Sequence, residues 1–356
     1  MKKTIDGPAL VYVDEAFNTP NGKTAHGLVR FTERYEIVGV IDHKYAGQDA
    51  GLVLDDKANG IPIYTDFKEA LLGINPKKKP ETLVIGLAPD GGRLPQSAKN
   101  TIKLALQSGL NVDSGLHDFL YKDGEIAALA KKHNCRIRDI RRTPDRDELH
   151  FFTGRIEEVD CLKIAVLGTD SAIGKRTTAW IIVHAFRKAG LTAEMVGTGQ
   201  TAWMQGAKYS MIMDSCINDF VSGEIEHAVH EAWKNESPDV ILIEGQGSLM
   251  NPAYPGGFEI LAAGRPDFVI LQHAPKRIEY DGFPGYKLHP LKEQINAIET
   301  ISGKKVIAIT LNHELMRREE ISPACEEITK ETGLPAFDVL AENADPLVEL
   351  LKPYIK

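Results

Sequence analysis

The stretch KIAVLGTDSAIGKRTTAWIIVHAFRKAG, Lys163 to Gly190, constrains the fold more than any other part of this chain. Ile164 to Leu167 is an apolar run of strand length, a glycine-bearing loop ends in Gly174-Lys175, and a helix follows. Ala179, Ile182, Val183 and Phe186 recur at helical spacing, and Gly190 supplies a stop. A strand that feeds a glycine loop and a helix N-terminus makes an anion site. The first helical N–H groups lack internal partners, the helix dipole is positive there, and Lys175 adds a full charge.

The rest of the chain supplies the sheets. Leu10–Val13, Glu36–Ile41, Ile61–Tyr64, Thr82–Leu87 and a start at Leu110 read as strands. Helices are expected over Asp66–Leu72, over Gln96–Ser108, and, after SGLHDFL, in a separate stretch ending near His133. Asn21-Gly22-Lys23-Thr24 reads as a helix start. This alternation predicts a doubly wound, parallel, Rossmann-like sheet over residues 1–155. Asp42 ends the second strand, where dinucleotide folds hold a ribose, but the preceding turn lacks G-x-G-x-x-G. His117 and Asp118 follow a strand's carboxyl end and read as capping residues. The run Cys135–Glu158 is charged and irregular, and reads as an interdomain connection with ion pairs. A second parallel α/β domain is expected over 156–356, with strands at Ala193–Val196, Asp239–Glu244, Asp267–His273 and Lys305–Thr310, a helix over Asp219–Trp233, and a mobile or ligand-hugging loop around Gly197, Gly199 and Gly206.

Composition excludes several classes. With 356 residues, 43% hydrophobic and 26% charged, the chain can build two ordinary cores. A formal net charge of −8, with basic residues scattered, argues against a nucleic-acid partner. No apolar run approaches the roughly 18 residues that span a bilayer, so no membrane association is expected. Asp6, Gly7 and Pro8 interrupt what would be a signal sequence after Lys2 and Lys3. The four cysteines, Cys135, Cys161, Cys216 and Cys325, form no C-x-x-C pair, so reduced and cytoplasmic is the expectation. Cys216 reads as a small packing residue before a nucleophile. A homo-oligomer is expected, as for most cytoplasmic enzymes.

The loop departs from the usual phosphate-loop spacing. Gly168 and Gly174 enclose five residues, and Arg176 stands where a Ser or Thr normally ligates Mg²⁺. Its opening Gly168-Thr169-Asp170 resembles the dethiobiotin synthetase branch of P-loop proteins. Thr177 and Thr178 are rotated away by about 100° per residue. Two adjacent cations suit a polyanion held without metal, and no metal site is expected. Residues Gly168, Thr169, Asp170, Ser171, Ala172, Ile173, Gly174, Lys175, Arg176, Thr177 and Thr178 are the expected cofactor-binding set. Glu244 ends a buried strand in the place of a Walker B carboxylate, before the permissive turn Gly245-Gln246-Gly247.

GLAPDGGRLP, SGLHDFL, DIRRTP, GTDSAIGKRTT, DSCINDFVSGEIE, EGQGSL and LQHAPKR, in this order, resemble the DUF1611 family along nearly the whole chain. The resemblance implies a Rossmann-like N-terminal domain, a P-loop C-terminal domain, and an acyltransferase. Members of the family include D-glutamate N-acetyltransferases, which acetylate D-glutamate with acetyl-CoA and supply N-acetyl-D-glutamate to a partner racemase. Coenzyme A carries a diphosphate and a 3′-phosphate that such a cradle can hold. Amide formation needs a general base and an oxyanion site. The candidate catalytic residues are Glu244, Asp170 and His273, with N–H groups of the Gly245–Ser248 turn for the oxyanion. Candidate substrate-binding residues are Asp214, Asp219, Gln246, Gly247, Ser248, Arg277 and His289, with Lys276 and Arg265 as further cations. The rival expectation is a Mg-ATP-dependent kinase or carboxylate–amine ligase, with Thr177 and Glu244 or Asp214 on the metal. A third is a nucleotide-binding regulator without turnover.

Overall fold

The computed structural model describes residues 5–356, the Asp90 side chain excepted, so Lys2 and Lys3 lie outside the described residues. The chain divides into two compact units. One comprises the residues up to Thr143 together with Gln200–Gly206, and the other Pro144–Gly199 with Ala207–Lys356.

The first unit contains β1 (Pro8–Tyr12), α1 (Lys23–Arg30), β2 (Glu36–Ile41), α2 (Ala50–Asp55), β3 (Ile63–Tyr64) and α3 (Phe67–Gly73). It continues with β4 (Thr82–Ile85), α4 (Gln96–Gln107), β5 (Asn111–Ser114), α5 (Gly124–Lys132) and β6 (Ile137–Asp139). The strands are parallel in the order β3-β2-β1-β4-β5-β6, the Rossmann order with its reversal between β1 and β4. Local chemistry explains the helix starts. Asp66 accepts from Lys68 N and Glu69 N to cap α3, and Asp49 does the same for α2. Asp42 faces inward: its carboxylate accepts from Phe17 N and Lys44 N at 2.9 Å each, and so holds the β1–α1 connection. Asp118 accepts from Leu94 N at 2.8 Å, which ties the turn after β5 to the segment ahead of α4 without capping that helix.

The charged run after Cys135 is not merely a connection. Ile137–Asp139 is the edge strand β6, and Arg138 reaches across to Asp113, which is fully buried in β5 and also takes the Tyr35 hydroxyl at 2.6 Å. Arg138 also meets Asp6, as do Arg34 and Arg136, so two carboxylates face three guanidiniums.

The second unit begins with β7 (Leu162–Gly168), α6 (Lys175–Lys188) and β8 (Ala193–Gly197). The chain then contributes α7 (Gln200–Gln205) to the first unit and returns at β9 (Tyr209–Ser210). There follow α8 (Asn218–Glu236), β10 (Val240–Glu244), α9 (Phe258–Ala263), β11 (Phe268–His273), α10 (Leu291–Ser302), β12 (Lys305–Leu311), α11 (Arg318–Thr332), β13 (Ala336–Phe337) and α12 (Asp345–Leu351). Seven parallel strands run β13-β12-β11-β7-β10-β8-β9, which places the strand before the phosphate loop at the centre. The glycine-rich stretch after Val196 is therefore a strand end, a turn and a short helix rather than one long loop. The units divide at Thr143–Pro144 and not at Arg155, because the following residues pack on α8. Glu226 of that helix accepts from Thr153 N, Thr153 Oγ1 and Ile156 N. Among the described residues no helix is long and apolar enough to cross a membrane.

Candidate functional site

All seven residues of β7 are buried, so the loop after Gly168 leaves the sheet from its middle. Thr169 N donates to Gln272 O at 2.9 Å, and Thr169 Oγ1 meets His273 Nδ1 at 3.0 Å, which ties the loop to β11. Ala172 and Gly174 both have positive φ, +52° and +96°, so the chain coils into a nest before α6 starts at Lys175. Among the described residues, the N–H groups of Ala172, Ile173 and Gly174 meet no protein acceptor. Ile173 O instead accepts from Asn312 Nδ2 at 3.0 Å. The loop thus presents unspent donors to whatever occupies it.

Lys175 is buried and lies back over the strand end. A Cβ on Gly168 would come within 2.8 Å of its Cδ, so glycine is required for that path. Its Nζ donates to Asp170 O and to Gly247 O, each at 2.7 Å, and so bridges the loop to the turn after β10. Thr178 Oγ1 donates to Gln272 Oε1 at 2.6 Å, and Thr310 does the same from β12. Thr178 is thereby committed to the floor of the site, while Thr177 is half-buried.

Asp170 does not stand ready to take a proton. It is fully buried, and its carboxylate accepts four hydrogen bonds: Ser171 N (2.6 Å), Asn251 Nδ2 (2.8 Å), Arg277 Nη1 (2.8 Å) and Asp281 N (2.8 Å). All its lone pairs are spent on holding the loop to two distant segments. Arg277 is likewise committed, because it also donates to Ser171 O and forms a two-pronged pair with Glu314. Lys276 pairs with Glu320 and Arg265 with Glu157, so these expected substrate cations are engaged in surface ion pairs.

Glu244 is different. It is buried at the end of β10, where Oε2 accepts from Thr198 N (2.8 Å) and Gly199 N (3.1 Å), and among the described residues Oε1 accepts none. Burial raises its pKa, an effect partly offset by the charge of Arg176, the two N–H groups and Lys175. Gly199 brings the backbone close to Gln246, whose Nε2 would lie 2.7 Å from a Cβ built there. The turn that follows is tight. Gly247 has φ +54°, and an added Cβ would strike Tyr254 O at 2.2 Å. Two of the four N–H groups expected for an oxyanion are consumed here: Gly245 N bonds Val166 O and Ser248 N bonds Tyr254 O. Among the described residues, Gln246 N and Gly247 N meet no acceptor.

The other candidates lie around this centre. Burial pushes the His273 pKa down to about 4, so its imidazole is neutral at pH 7. His289 is exposed, its Nδ1 meeting the Tyr280 hydroxyl at 2.7 Å. Asp214 follows Met213, whose N donates to Thr198 O at 3.0 Å, so it is brought to the β8 edge of the site. Asp219 is exposed in the first turn of α8, with no capping hydrogen bond, where a carboxylate favours the helix dipole. Burial pushes the Cys216 thiol up to about 11, against a nucleophile's role.

Comparison with known proteins decides the family. Residues 150–348 match the DUF1611 C-terminal P-loop domain, and residues 43–143 match its N-terminal Rossmann-like domain, both described as domains of unknown function. The chain belongs to the DUF1611 family. A crystal structure of a DUF1611 family protein from Anabaena variabilis is similar with a TM-score of 0.89 and 30% identity, over 98% of this chain and all of that one. A protein named D-glutamate N-acetyltransferase from Tritonibacter scottomollicae is 31% identical, over 76% of this chain and 81% of its own length. Another of the same name, from a Pseudoalteromonas species, is 28% identical over 82% of this chain and 87% of its own.

In this DUF1611 protein, sequence reasoning passed over the residues that build the site without touching its centre. Asn251 is the main one: besides Asp170 it binds Ala253 N and Tyr254 N at 2.9 Å, so it staples the turn to the loop. Thr198, Gln272, Asn312 and Glu314 complete the set. A polar residue directly after or at the end of an apolar strand was the available signal for Gln272 and Asn312. Nothing local marks Asn251.

Proposed function

We propose that this DUF1611 protein is an N-acetyltransferase that moves the acetyl group of acetyl-CoA to the amine of D-glutamate. The naming of relatives at about 30% identity supports acetyl transfer. The observation that carries the mechanism is Glu244: a buried carboxylate with raised pKa, one oxygen pinned by two N–H groups and the other open, beside an anion cradle. The cradle fits a polyanion, because Ala172, Ile173 and Gly174 offer unspent N–H donors at the start of α6, next to Lys175 and Arg176. These groups would hold the coenzyme's diphosphate.

The thioester supplies an activated acyl carbon. The amine nitrogen forms the new N–C bond, the C–S bond breaks, and the thiolate leaves with its electron pair. Glu244 takes the proton lost from the amine, and a raised pKa makes it a stronger base than an ordinary glutamate. Gln246 N and Gly247 N are the donors available to the developing oxyanion.

Thiol release from acetyl-CoA, followed with a panel of D- and L-amino acids with and without EDTA, tests this reading. The expected result is EDTA-insensitive release with D-glutamate. No release with any amine, or ADP formation from ATP that EDTA abolishes, would overturn it in favour of a kinase or ligase.

A further inference from the structure

Glu244 has one oxygen bonded and the other open, and the device that keeps the two from exchanging sits on the neighbouring strand. The terminal torsion of a glutamate is broad and roughly two-fold, so nothing within the side chain fixes the carboxylate's orientation. Here Thr198 N and Gly199 N, consecutive along the chain, converge on Oε2 at 2.8 and 3.1 Å. Both lie beyond the regular ladder between β8 and β10, whose last paired residues are Val196 and Ile243. Past that point a side chain makes the tie: Thr198 Oγ1 donates to Glu244 O at 2.9 Å. Thr198 is 1% exposed, so water does not compete for this bond. On the opposite side the strand end is held by β7, where Gly245 N bonds Val166 O at 3.0 Å.

Thr198 therefore meets Glu244 twice, with its hydroxyl on the carbonyl and its N–H on the carboxylate. A shift of the chain after β8 that broke the first bond would carry the N–H groups away from the second. We infer that the Thr198 side chain is a positioning residue for the base: its hydroxyl clamps the end of β8 to Glu244 O, keeps both N–H groups on Oε2, and leaves Oε1 as the atom that receives the amine proton. In that transfer the N–H bond of the attacking amine breaks with its electron pair left on nitrogen, and an O–H bond forms at Oε1. Oε2 becomes the carbonyl oxygen of the acid and still accepts both N–H groups. The fork is thus in place before and after the transfer and needs no rearrangement during it.

This inference rests on Glu244 as the base of acetyl transfer, and one set of variants separates the two. Thr198→Val removes the hydroxyl and keeps the shape, Thr198→Ala removes it without placing a methyl group against the carbonyl, and Thr198→Ser restores it. Each is assayed across pH with acetyl-CoA and with acetyl-pantetheine, which lacks the diphosphate. Thr198→Val and Thr198→Ala should lower kcat roughly ten- to hundredfold with either donor, with KM for acetyl-CoA changed less than about twofold. Burial raises the Glu244 pKa, and the charge of Arg176, the two N–H groups and the charge of Lys175 offset it. Of these only the N–H bonds answer to the Thr198 side chain, so weakening them should move the acid limb of kcat/KM up by about 0.5–1 pH unit. Thr198→Ser should bring kcat to within about threefold of wild type and return the limb to its place. A limb that stays put without the hydroxyl, equal losses in the serine variant, or a KM that rises in step with the loss of kcat would overturn the positioning role. Loss of the limb in Glu244→Gln would then still leave the base standing. A limb that survives Glu244→Gln, or no thiol release by the wild type with any amine, would overturn the underlying reading and this inference with it.

Discussion

Glu244 is pinned on one oxygen and open on the other, and its raised pKa has a direct kinetic consequence. A base acts when deprotonated, so kcat/KM should rise with pH through that raised value, and the acid limb should lie above an ordinary glutamate's range. Glu244→Gln should lower kcat by about 10²–10⁴-fold and abolish the limb. A variant that keeps the limb would assign the base to another group. His273 bears on stability instead. Its folded pKa is near 4 against 6.5 for a free imidazole, so as pH falls the unfolded chain takes up the proton first. Stability should therefore decline between about pH 6.5 and 4, and His273→Gln should flatten that slope in urea midpoints measured across the window. Glu244 was legible because it ends a fully apolar strand. The role of Asp170 was not: its donors at Asn251, Arg277 and Asp281 come from loops far along the chain, and no spacing announces them.

At the scale of elements, the phosphate loop is only as rigid as the segments clasped to it. Asp170 is the clasp, and Arg277 carries it on to Glu314 at the start of the β12–α11 connection. Asp170→Asn keeps the size but loses the charge-assisted bonds. It should cost about 2–3 kcal/mol and lower Tm by roughly 5–10 °C, with a rise in KM for acetyl-CoA larger than for acetyl-pantetheine. An unchanged melting curve would mean that the neighbouring contacts hold the loop unaided. The longer elements followed their patterns closely: the apolar strands at β2, β7, β10 and β11, and the capped or periodic helices at α3, α4 and α8, lie where alternation and 3.6-residue spacing put them. The short ones did not. Ile137–Asp139 hides in charges because Arg138 points at a carboxylate, Asp113, that sits in the core. Gln200–Gln205 lies between glycines and has too few turns to show a stripe.

For the whole molecule, that last helix changes what counts as a domain. The chain leaves the second sheet after Gly199, places α7 in the first unit, and returns at Ala207. Met204 is fully buried in the first core, and the Arg34 guanidinium lies 3.7 Å from the centre of the Trp203 ring. Gln205 Nε2 bonds Gly27 O and Phe31 O at 2.9 Å each, and so closes the end of α1. Sequence order therefore misstates the first unit, which is not contiguous. A fragment ending at Thr143 would expose the Met204 and Trp203 sites to water and leave the α1 carbonyls without their partner. It should be less stable by roughly 3–5 kcal/mol, the range for truncating one or two large core side chains, than the same fragment carrying residues 200–206 on a flexible linker. Urea denaturation followed by circular dichroism reads the difference. Equal midpoints for the two fragments would show that α7 contributes nothing to the first core, and that the unit folds from its N-terminal segment alone.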